Sequence, residues 1–185
     1  LKFIHIAGTN GKGSVLAYTS TILSEAGCRT GRYVSPTVMS YLEKIQVGGT
    51  WISELDFAQS VEKIKEAIAS LKAKGEPLPT LFEAETAMAF LYFRKMHCDM
   101  VVLETGLGGE TDATNIVNNT ICAAFATISV DHLGVIGDSL EEIAQNILHL
   151  ITYLVFFVPF VFVLVPESFG FFLRSYTTGE RGYSV

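Results

Sequence analysis

The chain has 185 residues, of which 49% are hydrophobic and 17% are charged, and its formal net charge is −6. This composition excludes a disordered tail and a small disulfide-stabilised scaffold, and the negative charge argues against a broad nucleic-acid-binding surface. None of the three cysteines lies in a Cys-x-x-Cys pair, which fits a reducing compartment. No charged segment with a cleavable apolar core precedes the first strand. We therefore expect a cytoplasmic monomer without nucleic-acid or membrane partners.

The acidic charge is confined to the first part of the chain. Residues 1–146 contain 11 basic and 17 acidic residues, which account for the whole net charge, whereas residues 147–185 contain two of each and no lysine. The first part is typical of an α/β protein and the second is not. We predict one domain over residues 1–146 and a hydrophobic tail over residues 147–185. Because an apolar strand begins at Leu1 without a preceding methionine, we also expect a fragment at the front end.

Residues 1–146 are predicted to alternate between strands and helices. Apolar runs of the buried type predict strands at residues 3–7, 29–34, 99–104 and 121–130, with a hairpin at 44–52. Apolar spacing predicts helices at 14–26, 53–71, 80–96 and after Ser139. The last three begin with pairs at capping-box spacing, which are Ser53–Asp56, Thr80–Glu83 and Ser139–Glu142. This alternation is typical of a doubly wound, mostly parallel sheet, in which ligands bind beyond the carboxyl ends of the strands.

A glycine-rich turn follows the first strand and opens the first helix. It consists of Gly8, Thr9, Asn10, Gly11, Lys12, Gly13 and Ser14. Backbone N–H groups freed by glycine, the positive end of a helix and a lysine together form a cradle for a polyphosphate. The strand-turn-helix context favours this interpretation over a plain glycine-rich turn with a solvated lysine.

The turn lacks one feature of ordinary P-loops, in which the residue after the lysine carries a hydroxyl that binds Mg²⁺. Gly13 occupies that position, and Ser14 lies about 100° further round the helix. The metal therefore needs other oxygen ligands, and neighbouring strand ends are the obvious suppliers. The candidates are Ser35, Glu104 and His132. The alternative is that Glu104 is a solvated carboxylate and His132 a loop histidine with a structural role.

Several ordered motifs give the chain a resemblance to a known family. They are HIAGTNGKGSV (5–15), SP (35–36), EKIQV (43–47), FE (82–83), TAMAFLYF (86–93), VLETGLGG (102–109), DATNI (112–116), DH (131–132) and GDSLEEIA (137–144). Together these motifs resemble the folylpolyglutamate synthase/dihydrofolate synthase family, a branch of the Mur ligases. The resemblance covers residues 2–146 and implies the central-domain fold of the Mur ligases, with a sheet of P-loop type that is incomplete here.

The resemblance also implies an activity. Family members are ATP-dependent ligases that transfer the γ-phosphate of ATP to a carboxylate of dihydropteroate or folate. The amine of L-glutamate then attacks the resulting acyl phosphate, and ADP and phosphate leave. ATP and Mg²⁺ are the implied cofactors, and a pteroate or folate and L-glutamate are the implied partners.

By the same resemblance, individual residues acquire roles. The loop from Gly8 to Ser14 holds the triphosphate, and Lys12 neutralises charge on the transferred group. Ser35 and Glu104 match magnesium ligands, and His132 matches the ligand of a second magnesium site, so Lys12 and His132 are the catalytic candidates. The substrate-binding candidates are Asp112, after the glycines, and Phe82, against the pterin.

Four positions depart from the family pattern. Thr37 stands where a histidine usually follows Ser-Pro, and Glu110-Thr111 replaces Arg-Leu, which reverses a charge near the phosphates. Ile147 stands where the family has a carbamylated lysine that binds the second magnesium. The rest of the ATPase domain and the glutamate-binding domain do not follow. A non-catalytic nucleotide-binding remnant is therefore an alternative function, as is another Mur-type amino-acid ligase.

The tail begins with a 19-residue stretch, 147–165, in which only His149 and Thr152 are clearly polar. Its length would just span a bilayer, and its β-branched and aromatic residues also suit a buried or aggregation-prone strand. The abrupt loss of lysine and of family resemblance favours a third origin, a reading-frame shift or misjoined gene. A membrane-anchored ATP-binding protein remains a further alternative.

Overall fold

The computed structural model describes residues 1–109, 111–129, 134–148 and 161–163. Seven strands are present in the described chain: β1 (Lys2–Ala7), β2 (Thr30–Tyr33), β3 (Ile45–Val47), β4 (Thr50–Trp51), β5 (Met100–Glu104), β6 (Thr120–Phe125) and β7 (Val161–Val163). Its α-helices are α1 (Lys12–Glu25), α2 (Glu54–Lys74), α3 (Leu81–Lys95) and α4 (Leu140–Leu148). Two short 3₁₀ helices, which the sequence did not predict, lie at Tyr41–Lys44 and Ala113–Ile116.

The strands form one mixed sheet in the order β4-β3-β2-β5-β1-β6-β7. Strands β2, β5, β1, β6 and β7 are parallel, and the β3–β4 hairpin adds two antiparallel strands at one edge. Ile6 near the end of β1 is in register with Glu104 on one side and Ala124 on the other. The carboxyl ends of the three central strands therefore lie side by side, and the predicted doubly wound, mostly parallel sheet is confirmed.

Helices cover both faces of this sheet because alternate residues of the buried strands are apolar on both sides. Ile6 and Val102 pack against Leu16 of α1, and all three are fully buried. On the opposite face, α3 packs against β1, β2 and β5, and α4 packs against β1 and β6. The first of these cores contains Phe3, Tyr33, Phe93, Val101 and Leu103, and the second contains Ala7, Ala123, Phe125, Ile143 and Ile147.

The capping residues that the sequence indicates begin α2, α3 and α4. Thr80 and Glu83 form a complete capping box at α3. At α2, Ser53 Oγ accepts a hydrogen bond from the Asp56 N–H at 3.0 Å, but the Asp56 carboxylate binds the Ser53 hydroxyl and Lys95 Nζ instead of the Ser53 backbone. The second half of the box predicted there is thus replaced by a bond between helices.

Strand β6 ends at Phe125, five residues before the predicted end at residue 130. Beyond it the chain turns towards the glycine-rich loop: Thr127 O accepts hydrogen bonds from Thr9 N at 2.7 Å and Asn10 N at 3.3 Å. The Thr9 hydroxyl also donates to Ser129 O and accepts from Ser129 N, both at 3.1 Å. Because of these bonds, the backbone leaves the sheet after Phe125. The apolar pattern of residues 126–130 alone predicts a continuing strand and gives no sign of them.

Parts of the predicted tail are described. Helix α4 runs without a break from Asn146 to Leu148, and Ile147 is buried, with 2% of its surface exposed. The backbone of β7 pairs in parallel with β6. In the described portion, no helix combines the length and apolarity needed to cross a membrane. The origin of the tail and the division of the chain at residue 146 stay predictions, because residues 149–160 and 164–185 lie outside the described residues.

Candidate functional site

The glycine-rich turn joins β1, one of the three central strands, to α1. Gly8 has a φ of 131°, and a Cβ added there would lie 3.1 Å from atoms of Ala126. Only glycine fits this combination of positive φ and close approach. Gly11, with a φ of 88°, then forms the N-cap of α1, and its carbonyl accepts the first helical hydrogen bond from Val15 N at 3.0 Å.

The N-terminus of α1 is suited to an anion. Gly11 supplies no capping side chain, and the first turn of α1 contains no acidic residue. The N–H groups of a first turn carry partial positive charge and need acceptors. Among the described residues, no side chain fills that role here. A phosphate at this position would satisfy these groups, and the role of the loop in binding phosphate stays a prediction.

Lys12 lies across the same loop. Its Nζ donates to Gly8 O at 2.9 Å and to Thr9 O at 3.3 Å. Both acceptors are uncharged carbonyls of the loop, so the ammonium charge is positioned beside the helix N-terminus without a carboxylate partner in the described part of the chain. This arrangement leaves the charge of Lys12 available to an anion.

Two predicted metal ligands meet beside this loop. Glu104 ends β5 with 6% of its surface exposed, and its Oε2 accepts a hydrogen bond from Ser35 N at 3.4 Å. A Cβ added to Gly13 would lie 4.0 Å from the same oxygen. The missing side chain at Gly13 thus leaves the carboxylate facing the first turn of α1. His132, the third candidate, lies outside the described residues.

The electrostatics of Glu104 fit a divalent cation. Burial raises the pKa of its carboxyl group, and the Ser35 N–H and the charges of Lys12 and Arg32 oppose that rise. Within the described residues, Glu104 forms no salt bridge. A buried carboxylate next to a serine is an oxygen donor set of the kind that Mg²⁺ prefers. The described residues contain no cluster of three or more His, Cys, Asp or Glu side chains that could hold a metal, and the metal-binding roles of Ser35 and Glu104 stay predictions.

The two substrate-binding candidates, Phe82 and Asp112, lie together at the next loop. A Cβ added to Gly106 would lie 2.6 Å from Phe82 Cζ and 3.1 Å from Asp112 Oδ2. Asp112 is buried, and its carboxylate accepts hydrogen bonds from Leu107 N at 2.8 Å and Thr114 N at 2.9 Å. These contacts shape the glycine-rich loop after β5, and the roles of both residues towards substrate stay predictions.

His5 belongs to a buried hydrogen-bonded series below the loops, and the sequence analysis gave it no role. It is fully buried, and burial lowers the pKa of its imidazole to about 3, so the ring is neutral at neutral pH. Its Nε2 lies 2.7 Å from the hydroxyl of Thr114, which in turn donates to Asp112 Oδ1. Because that hydroxyl proton is used, Nε2 carries the imidazole proton and donates to Thr114. A histidine in the middle of an apolar strand was the available signal.

Comparisons with known proteins show what this chain is similar to. The sequence is 40% identical over 145 residues to a dihydrofolate synthase/folylpolyglutamate synthase of Bacillus subtilis, which covers 78% of this chain and 34% of that protein. The structure superposes on a folylpolyglutamate synthase complex with AMPPCP and folate with a TM-score of 0.78 and 30% identity, covering 81% of this chain and 37% of the other. The chain is a homologue of the folylpolyglutamate synthases.

A third comparison agrees with this family. The Escherichia coli FolC protein in complex with DHPP and ADP superposes with a TM-score of 0.73 and 34% identity, covering 80% of this chain and 34% of that one. No model of a protein family matches the chain. The fold matches the N-terminal domain of the folylpolyglutamate synthases, and the chain spans about a third or less of the length of the curated relatives it matches, 23% to 34% in three of them.

Proposed function

We propose that the chain is the ATP-binding part of an ADP-forming ligase that adds L-glutamate to dihydropteroate or folate. The observation that carries this proposal is the arrangement at the end of β1: an uncapped helix N-terminus, Lys12 across the loop, and the buried carboxylate of Glu104 beside both. The homologues and the nucleotide complexes of the structural neighbours support it.

The residues of the loop would bind and orient the triphosphate. The first-turn N–H groups of α1 would donate hydrogen bonds to phosphate oxygens. The ammonium group of Lys12 would leave Gly8 O and Thr9 O and bind the negatively charged phosphoryl group that is transferred. A divalent ion such as Mg²⁺, when bound, neutralises further charge, and Ser35 and Glu104 are the residues that would hold it. Phosphoryl transfer needs such positioning and neutralisation more than covalent help from the protein.

In the proposed reaction, an oxygen of the acceptor carboxylate attacks the γ-phosphorus, and the bond to the bridging oxygen of ADP breaks. The amine of L-glutamate then attacks the acyl phosphate carbon, loses a proton and displaces phosphate, which leaves an amide. The loop shaped by Asp112 and Phe82 is the proposed substrate side of the site. His132 stays a candidate for a second metal site.

Nucleotide binding by the purified 185-residue chain tests the proposal. Calorimetric titration with AMPPCP and Mg²⁺ should show saturable binding that Lys12→Ala weakens at least about tenfold, because a charge next to the phosphates is lost. Lys63→Ala, on the exposed face of α2, is the matched control and should bind like the unaltered chain. Absence of binding by the folded chain, or equal binding by the Lys12 variant, would refute the proposal.

A second candidate function is nucleotide binding without turnover. Ile147, at the position where the family pattern has a magnesium-binding lysine, is packed into the core beside Phe125 and Ile143. A buried isoleucine supplies no metal ligand, so this chain would lack part of the second metal site. ADP release by the purified chain that depends on both folate and L-glutamate, and that Lys12→Ala abolishes, would exclude this candidate.

The remaining proposals concern substrate and location. We propose a cytoplasmic monomer that acts on a pteroate or folate. A panel of acceptors that includes cell-wall nucleotides distinguishes this from another Mur-type ligase, because only a pteridine acceptor should stimulate ATP hydrolysis in the presence of glutamate. Light scattering measures the mass of the purified chain in solution and tests whether it is a monomer. Carbonate extraction of membranes from expressing cells tests whether the chain is anchored in a membrane.

A further inference from the structure

Arg32 is a basic residue that lies on the strand next to the one that carries Glu104 and that the sequence motifs do not single out. It sits in β2, in parallel register with Val102 of β5. Side chains two residues apart in a strand point to the same face, so Arg32, Val102 and Glu104 all face α1. Val102 packs there against Leu16 of α1. Arg32 and Glu104 are thus diagonal neighbours on adjacent strands, within reach of a long side chain.

The guanidinium group of Arg32 has unused hydrogen-bonding capacity. The residue is half-buried, and its Nε is buried without a hydrogen-bond partner. Arg32 takes part in none of the salt bridges within the described residues. The positive charges of Arg32 and Lys12 nevertheless both lower the pKa of the Glu104 carboxyl group, against the rise caused by burial, and so favour its ionised form. The Glu104 carboxylate is therefore under the influence of two cations, Lys12 and Arg32.

We propose that Arg32 is a second cation of the nucleotide site and sets how strongly nucleotide binding depends on the divalent ion. The inference rests on the proposed function of the loop and adds to it a residue outside the loop. A cation at this position attracts a metal-free nucleotide, which carries more negative charge than its magnesium complex. The same cation repels a divalent ion held by Glu104. Both effects reduce the difference between metal-free and metal-dependent binding.

The test compares the affinity for AMPPCP in EDTA with the affinity in Mg²⁺, in the full chain and two variants. Arg32→Met keeps the apolar stem and removes the charge, whereas Arg32→Lys keeps a charge. The ratio of the metal-free to the magnesium-bound dissociation constant should rise about fivefold in Arg32→Met and stay within about twofold in Arg32→Lys. Arg94→Gln, on the exposed end of α3, is the control and should leave the ratio unchanged.

The outcomes separate this inference from the proposed function. If the unaltered chain binds AMPPCP and Arg32→Met has the same ratio, or if both constants change by the same factor, Arg32 acts only through packing and the inference is wrong. If the folded, unaltered chain does not bind AMPPCP in either condition, the proposed function fails and the inference fails with it. Should Arg32→Met not fold, Arg32→Gln carries the same expectation, with circular dichroism as the check of folding.

Discussion

The imidazole of His5 donates a hydrogen bond to the hydroxyl of Thr114, 109 residues further along the chain, with a distance of 2.7 Å between Nε2 and Oγ1. The Thr114 hydroxyl donates in turn to Asp112, whose carboxylate also accepts the N–H groups of Leu107 and Thr114. This series of bonds ties the middle of β1 to the glycine-rich loop after β5. One buried polar path therefore connects the strand that carries the phosphate loop with the proposed substrate side.

Removing the Thr114 hydroxyl should destabilise the fold. In Thr114→Val, His5 Nε2 loses its acceptor and the Asp112 carboxylate loses a donor, both in buried surroundings. We expect the free energy of unfolding in urea to fall by about 2–3 kcal/mol. Thr114→Ser keeps the hydroxyl and should cost clearly less. Thr114→Val keeps the methyl group that Thr114→Ser loses, so a loss in Thr114→Val no larger than in Thr114→Ser would contradict the role given to the hydroxyl.

His5 should make stability depend on pH. The pKa of its imidazole is about 3 in the folded chain, below the ordinary value of 6.5. Protonation therefore favours the unfolded chain: the stability is fully present above pH 6.5 and is lost as the pH falls from there towards 3. Between pH 7 and pH 5 this one residue should remove about 2 kcal/mol from the free energy of unfolding.

The variant His5→Gln isolates that contribution. Glutamine has no group that titrates in this range. The decrease in unfolding free energy between pH 7 and pH 5 should therefore be about 2 kcal/mol smaller in this variant than in the unaltered chain. His97→Asn, at an exposed position with a positive φ that asparagine tolerates, is the control and should keep the pH dependence of the unaltered chain. A His5 variant with an unchanged pH profile would contradict the burial of a neutral imidazole.

Glu104→Gln should separate nucleotide binding from its metal dependence. The amide keeps the shape of the carboxylate but removes its charge, so the divalent ion loses a ligand while the metal-free nucleotide loses a repulsive neighbour. We expect AMPPCP to bind at least about tenfold more weakly in Mg²⁺ and no more weakly in EDTA. Glu25→Gln, at the exposed end of α1, should change neither constant. Equal weakening in both conditions would indicate a structural role for Glu104.

Two glycines of the loop should respond in opposite ways to alanine. Gly8→Ala places a side chain at positive φ and 3.1 Å from Ala126, and should lower the free energy of unfolding by more than about 1 kcal/mol. Gly13→Ala lies in α1 with no atom nearer than Glu104 Oε2 at 4.0 Å, and should leave that free energy unchanged or raise it by up to about 1 kcal/mol. Thermal unfolding followed by circular dichroism measures both, and a stable Gly8 variant would contradict the close approach.

Local sequence signals predicted the elements whose determinants are local. The capping pair Thr80–Glu83 and the hairpin at Gly48-Gly49 are confirmed because each needs only a few neighbouring residues. The parallel arrangement of the main strands also follows from their alternation with helices, and it brings Ser35 and Glu104 to the same edge of the sheet. The early end of β6 could not be predicted, because the bonds that hold residues 127–129 come from Thr9, about 120 positions away.

The same reasoning explains which site residues were missed. His5 reads as one polar residue in an apolar strand, and only its distant partner Thr114 gives it a role. The sequence predicts only that Arg32 lies in a strand. That Arg32 lies near Glu104 depends on the register between β2 and β5, which the sequence does not predict. Motifs indicate residues that are close in sequence, whereas both of these relationships arise from pairing across the sheet.

The position of β1 between β5 and β6 has a consequence for the order in which the sheet opens. Its amides bond to neighbours on both sides, whereas the β3–β4 hairpin is attached through one side only. Hydrogen exchange from a central strand requires the whole sheet to separate, whereas an edge hairpin exchanges through local fraying. The glycine-rich loop thus follows a strand with neighbours on both sides and would keep its shape while the outer hairpin opens and closes.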